Sequence, residues 1–185
     1  MASDIRNART ERAIVDALVK LLETKPFTEL SISEVAHQAN VSRSTFYAHF
    51  GNLREVFDRA VFELASKTRT LSRQFKCSEC SNDEPGVPFC IQLRQDPLNQ
   101  HLTRDPSFLA AYMNASEAYP HDKVRTELED AGVPANIAST ILRFQLSGCY
   151  AVATRTPASE DWSKVQKALD TFIQGGLSAL RSKTW

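Results

Sequence analysis

An all-α fold is what the sequence predicts, and three observations carry that prediction. Apolar residues recur at helical spacing along most of the 185 residues. No stretch alternates apolar and polar residues as a half-buried strand does, and no internal repeat or low-complexity tract interrupts the pattern. Capping residues and prolines stand where the periodic stretches begin and end. A hydrophobic fraction of 42% with 24% charged residues is ordinary for a folded globular chain.

Ile14, Ala17, Leu18, Leu21 and Leu22 form one stripe, so residues 8–24 read as an amphipathic helix. "TKPF" ends it, because Pro26 biases Lys25 away from helical angles. Ser31 or Ser33 can cap a second helix, with Glu34 well placed in its first turn and Val35 and Ala36 facing inward. That helix stops near Gln38. Asn40 then supplies a residue that accepts the left-handed backbone a sharp helix–helix corner requires. Ser42 caps a third helix running through Phe50, and Gly51 ends it. Asn52 caps a fourth, expected to reach about Ser72 on the stripe Leu53, Val56, Phe57, Ala60, Val61, Leu64 and Ala65.

Composition then changes. "CSECSNDEPGVP", residues 77–88, reads as a flexible loop. Shorter helical segments follow over 88–95, 98–102 and 107–131, the last with a break expected at Pro120. Two long patterns, 134–154 and 161–181, finish the chain. The predicted organisation is therefore an N-terminal three-helix helix-turn-helix domain over 1–51 and a C-terminal helical domain over 52–185.

The third helix carries the chemistry. Thr45, Phe46 and Phe50 are its packing positions, which leaves Arg43, Ser44, Tyr47 and His49 outward. In a helix-turn-helix the second helix of the motif enters the major groove of B-DNA, with its N-terminal side chains on base edges. Arg43 has the fork that pairs with guanine O6 and N7, and Ser44 or Thr45 can meet a base edge or a thymine methyl. Tyr47 and His49 suit phosphate oxygens, which fix register without reading sequence. The competing reading is a helical hairpin whose aromatics are all core. It accounts for Phe46 and Phe50 but leaves Tyr47 and His49 exposed for no packing benefit.

"FTELSISEVAHQANVSRSTFYAHFGNLREVF" resembles the DNA-binding domain of the TetR/AcrR family of transcriptional regulators, over residues 9–60. The rest of the chain resembles that family only in layout: a helical regulatory domain whose last two long helices form a dimer bundle. Carried over by position, the resemblance implies that Ser42, Arg43, Ser44 and Thr45 face bases. It further implies that Tyr47 and His49 grip phosphates, with Thr28 and Ser33 helping near the second helix. Two positions depart from the family pattern. Asn40 stands where glycine is usual. Leu53 stands where a lysine usually opens the fourth helix; Arg54 is the substitute at hand, though it points about 100° away.

The resemblance also implies a homodimeric repressor, released from a palindromic operator by a small-molecule effector. Candidate effector-lining residues are Phe89, Leu93, Phe108, Tyr112, Met113, Phe144 and Cys149, set against a reading in which the same stripe is plain core. Self-association is expected through 134–154 and 161–181. Ile137, Ile141, Phe144, Leu146, Gly148 and Ala151 there, with Val165, Leu169, Phe172, Ile173, Gly176, Leu177 and Leu180, exceed what one buried stripe needs. Cys77 and Cys80 form a C-x₂-C pair. With Cys90 and a histidine (His101 or His121) they can clasp zinc, so a metal- or thiol-responsive regulator is an alternative. Otherwise no cofactor is expected. Cys149, inside an apolar pattern, reads as a small core residue.

Several classes are excluded. No apolar run approaches the ~20 residues that cross a bilayer, and "MASDIRNART" has no apolar core of a secretory signal, so a cytoplasmic protein is expected. No phosphate-cradling glycine loop, paired carboxylates or HExxH pattern is present, so catalysis is not expected. A helical interaction protein that binds no DNA is the remaining rival from another class. Net charge is zero overall, but residues 1–74 hold 11 Lys/Arg against 9 Asp/Glu and the remainder 11 against 13. That bias has the sign expected if the N-terminal part faces phosphates.

Overall fold

The structure is a computed structural model and describes residues 2–69, 87–95, 97–117 and 123–185. Ten α-helices dominate the described residues, in two compact units. The first unit comprises Met1–Ala65 with Pro97–Ala115, and the second Ser66–Asp96 with Ser116–Trp185. The expected partition at residues 51/52 follows the motif, whereas these units follow packing.

In the first unit, α1 (Ala2–Leu21) buries Ile14, Val15, Ala17 and Leu18. It begins well before the expected residue 8. Residues 5–9 are exposed and Ile5 is the one large apolar side chain among them, so this stretch carries no periodic apolar signal although nothing in it stops a helix. A single 3-10 turn, Phe27–Glu29, leads to α2 (Ile32–Gln38), α3 (Arg43–His49) and α4 (Leu53–Ser66). α1 packs on α2 and α3, while the Phe27 and Phe57 rings meet at 5.0 Å. Val56, Phe57 and Val61 are fully enclosed, as α4's stripe predicts. α6 (Pro97–Arg104) lies against α1, and Phe108 and Tyr112 of α7 (Phe108–Glu117) are buried with rings 5.7 Å apart.

α4 stops at Ser66, short of the expected Ser72. In the second unit Thr68–Arg69 (β1) pairs in parallel with Val87–Pro88 (β2), and Thr68 Oγ1 donates to Gln92 Oε1 at 2.7 Å. A strand of two residues is too short to show alternation, and residues 87 and 88 belong to it rather than to the expected loop. Residues 77–86, like the Pro120 break, lie outside the described residues.

α5 (Phe89–Gln95) packs along α9 (Ala135–Arg155). Arg94 fastens this contact: its guanidinium donates to the carbonyls of Ala153 and Thr156 at 3.2 and 2.9 Å and stacks 4.2 Å above the Trp162 ring. α8 (Lys123–Asp130) ends at Gly132, whose φ of 86° no other common residue adopts cheaply. The Val133 amide there donates to the Leu128 carbonyl at 2.9 Å. α10 (Trp162–Arg181) is capped by Asp161, which accepts from the amides of Ser163 and Lys164. Near its other end Arg181 is tied to Glu127 of α8.

Candidate nucleic-acid interface

Local chemistry fixes the corner that presents α3. Ser31, not Ser33, caps α2, in a reciprocal box. The Glu34 amide donates to Ser31 Oγ at 3.3 Å, and the Ser31 amide donates to the Glu34 carboxylate at 2.9 Å. Lys25 also pairs with Glu34. These contacts, Lys25 foremost and Ser31 next, hold the Glu34 carboxyl down to about 2. At the far end of α2, Asn40 takes a φ of 54° and the Val41 amide closes on the Ala36 carbonyl at 2.9 Å. Asparagine thus does what glycine does in this corner.

Ser42 restarts the helix. Its Oγ accepts from the Thr45 amide at 3.0 Å and lies 2.8 Å from the hydroxyls of Ser44 and Thr45. α3 then buries Phe46 completely, with Phe50 closing behind it. The Tyr47 ring stands edge-on to Phe46 at 5.7 Å while 51% of the residue remains exposed. Asn52 caps α4 by accepting from the Glu55 amide at 3.0 Å, and Glu55 reaches back to the Gly51 amide at 2.8 Å. A side chain at residue 51 would press on that carboxylate at 3.0 Å.

Ser42, Arg43, Ser44 and Tyr47 form a continuous exposed surface on α3, with Thr45 half-buried beside them. Arg43 has no acidic partner among the described residues. Thr28 and Ser33 are exposed, near the start of α2. His49 departs from its expected outward position. Its side chain is 11% exposed and its Nδ1 lies 3.5 Å from Glu11 Oε1 of α1, because the last turn of α3 leans on that helix. Arg54 is likewise engaged on its own helix, 2.9 Å from Asp58 and 5.1 Å above the Phe57 ring. The residues that sequence reasoning passed over are Lys25 and Glu11. Lys25 stands nine positions before Glu34, across the 3-10 turn, and Glu11 is far from His49 in the chain, so no fixed spacing announces either pair.

The seven effector-lining candidates separate. Phe108, Tyr112 and Met113 sit in the first unit, while Phe89, Leu93, Phe144 and Cys149 sit in the second. Phe89 and Leu93 are buried, whereas Phe144 is 66% exposed. Phe144 and Cys149 line an apolar groove of about 220 Å³ between α9 and α10, with Ile141, Gly148, Phe172 and Gly176 among its other walls. Burial, with Cys90 and Asp170 adding to it, pushes the Cys149 thiol up to about 12, which suppresses its reactive thiolate. Cys90 is also buried, with Gln166 Nε2 3.9 Å from its sulfur. Cys77 and Cys80 lie outside the described residues. Among the described ones no group of three or more His, Cys, Asp or Glu gathers to hold a metal.

Residues 14–60 match the family model for bacterial regulatory proteins of the tetR family. An uncharacterized HTH-type transcriptional regulator of Haemophilus influenzae is 37% identical over 71 residues, which are 38% of this chain and 35% of that protein. The chain thus matches about a third of that relative's length. The crystal structure of a tetR-family repressor, AlkX from Dietzia sp., implicated in biodegradation of n-alkanes, superposes with a TM-score of 0.53 at 18% identity. It covers 93% of this chain and 97% of that one, so the two share a fold.

Proposed function

We propose that residues 14–60, which match the tetR-family model, are a DNA-binding domain, and that the chain is a transcription regulator and not an enzyme: a homodimeric repressor that reads a palindromic operator and releases it when a small molecule binds. One observation carries the DNA reading. α3 starts on the Ser42 side-chain cap and is anchored by a fully buried Phe46, yet it leaves Arg43, Ser44 and Tyr47 exposed on one surface. A rigid base with polar, cationic tips is what major-groove entry requires. Within this reading Ser42, Arg43, Ser44 and Thr45 face base edges. Tyr47, Thr28 and Ser33 contact phosphates, and Arg54 and His49 reach them only by giving up Asp58 and Glu11.

The functional boundary in this reading lies at residues 51/52, with 1–51 as the reading head and 52–185 as the regulatory part. The partner for self-association is a second copy, seated on the groove between α9 and α10. Phe172 there is 68% exposed and Phe144 66%, and Gly148 and Gly176 in the same lining permit close helix approach. A twofold dimer places two α3 helices on half-sites one turn of DNA apart, about 34–36 Å. An effector that favours another separation weakens binding. Effector contacts are proposed within the regulatory part, among Phe89, Leu93, Phe108, Tyr112, Met113, Phe144 and Cys149. No observation favours the zinc-responsive alternative.

The test is selection of genomic fragments by the purified protein, beside an Arg43→Ala, Tyr47→Ala double variant. The wild type should enrich a palindrome, and the variant should lose it. Arg43→Ala alone should cost about 1–3 kcal/mol at one base position of each half-site. A double variant that selects the same site with the same affinity rules out α3 as the reading element.

A further inference from the structure

The balanced charge of the helix-turn-helix region conceals an uneven distribution. Between residues 5 and 66, Arg12 is held by Asp16 and Glu63, Lys25 by Glu34, Arg54 by Asp58, and Arg59 by Glu11 and Glu63. Arg6, Arg9, Lys20 and Arg43 have no acidic partner among the described residues. Arg43 belongs to the reading surface of α3. Lys20 is at the far end of α1 from Arg6. Arg6 and Arg9 stand three residues apart on the exposed first half of α1, so they share a face.

That face borders the helix-turn-helix corner. Ile5, Arg6, Arg9, Thr10, Ala13 and Val41 line one open concavity of about 440 Å³. Val41 immediately precedes the Ser42 cap, and its amide is bonded to the Ala36 carbonyl, so this edge of the concavity is fixed to the base of α3. The concavity is open and carries two guanidinium groups with no acidic partner among the described residues. It therefore suits an extended polyanion passing across it better than an enclosed small molecule. A duplex whose major groove holds α3 has its own phosphate strands running alongside that helix.

We propose that Arg6 and Arg9 grip the sugar–phosphate backbone beside the half-site, giving α1 a second, sequence-independent contact with DNA. The inference rests on the DNA reading above and adds a surface to it. It also gives a reason for the polar opening turns of α1 to be helical. Residues 5–9 bury no apolar stripe, and a helix holds the two arginines on one face.

The experiment is a salt series on the full chain with its selected operator, together with hydroxyl-radical footprinting. It compares the wild type, Arg6→Gln with Arg9→Gln, Arg6→Lys with Arg9→Lys, each single glutamine variant, and Arg43→Ala. Each lost phosphate contact lowers the slope of log K against log salt by about 0.9, so the double glutamine variant of a dimer should lose about 3.6. The single variants should lose about half of that, and the lysine pair should behave as wild type. Protection of the backbone flanking the half-site should vanish in the glutamine pair while the base preference of the centre stays. Unchanged slope and flank protection in the glutamine pair overturn the proposal. If both pairs lose a preference for A·T pairs in the flank, the arginines read the minor groove and the phosphate assignment is wrong. If Arg43→Ala abolishes operator binding while the glutamine pair matches wild type, only the α1 contact falls. A wild type that selects no site removes both readings.

Discussion

Asn40 is the residue on which the presentation of α3 turns. At φ 54° the backbone is in the left-handed region, where a side chain normally costs about 1–2 kcal/mol. Asparagine lessens that cost and glycine removes it. Alanine at this position should therefore destabilise the protein by about 1 kcal/mol, while Asn40→Gly should change stability by less than about 0.5 kcal/mol or raise it. Paired denaturant titrations decide this. Equal stability of the alanine and glycine variants would mean that the corner does not hold the left-handed conformation. The sequence announced this residue, since few types are tolerated there. It did not announce the inward turn of His49, because that depends on Glu11 of a separate helix lying within reach.

At the scale of elements, short helices survive by their ends. α2 and α3 have seven residues each, too few for propensity to hold them, and each begins with a serine that satisfies the amide three positions on. α2 adds the carboxylate of Glu34, which accepts from Ser31 and pairs with Lys25. Its carboxyl titrates near 2 in the folded state against an ordinary value of 4.5. A carboxyl with a lowered folded value contributes its stability fully above the unfolded value and loses it on protonation. The stability difference between wild type and Glu34→Gln should be constant from neutral pH down to about 5 and shrink as pH falls through 4.5 toward 2. Melting curves across that range test it, and a difference that stays flat to pH 2 would show that Glu34 is not engaged in the folded state. The choice between Ser31 and Ser33 was open in the sequence because both precede apolar positions. The box with Glu34, in the spacing S-x-x-E, was the signal that separates them.

For the whole molecule, the helical class and the four-helix opening were legible because caps and stripes agree there at every step. The packing units were less so. Pro97–Ala115 joins the N-terminal helices although it lies beyond the loop in the chain, and no local pattern encodes which distant stripe a helix will cover. Phe144, expected both among the effector contacts and on the self-association surface, shows the same lack of long-range information. It is two-thirds exposed, on the groove between α9 and α10. If a second copy covers that groove, Phe172 is a central anchor, being aromatic, 68% exposed, and set among small and apolar neighbours. Phe172→Asp should then leave the monomer folded, since the side chain supports no core of its own. It should also weaken dimerisation by roughly 30-fold, the equivalent of about 2 kcal/mol for a buried aromatic anchor. Operator affinity at sub-saturating protein should fall with it, because two heads bind a palindrome only while they are joined. Sedimentation of both proteins over a concentration series reads the first effect, and titration of full and half operators reads the second. A variant that dimerises like wild type moves the interface off this groove. One that becomes monomeric yet keeps full-operator affinity would detach DNA recognition from symmetry.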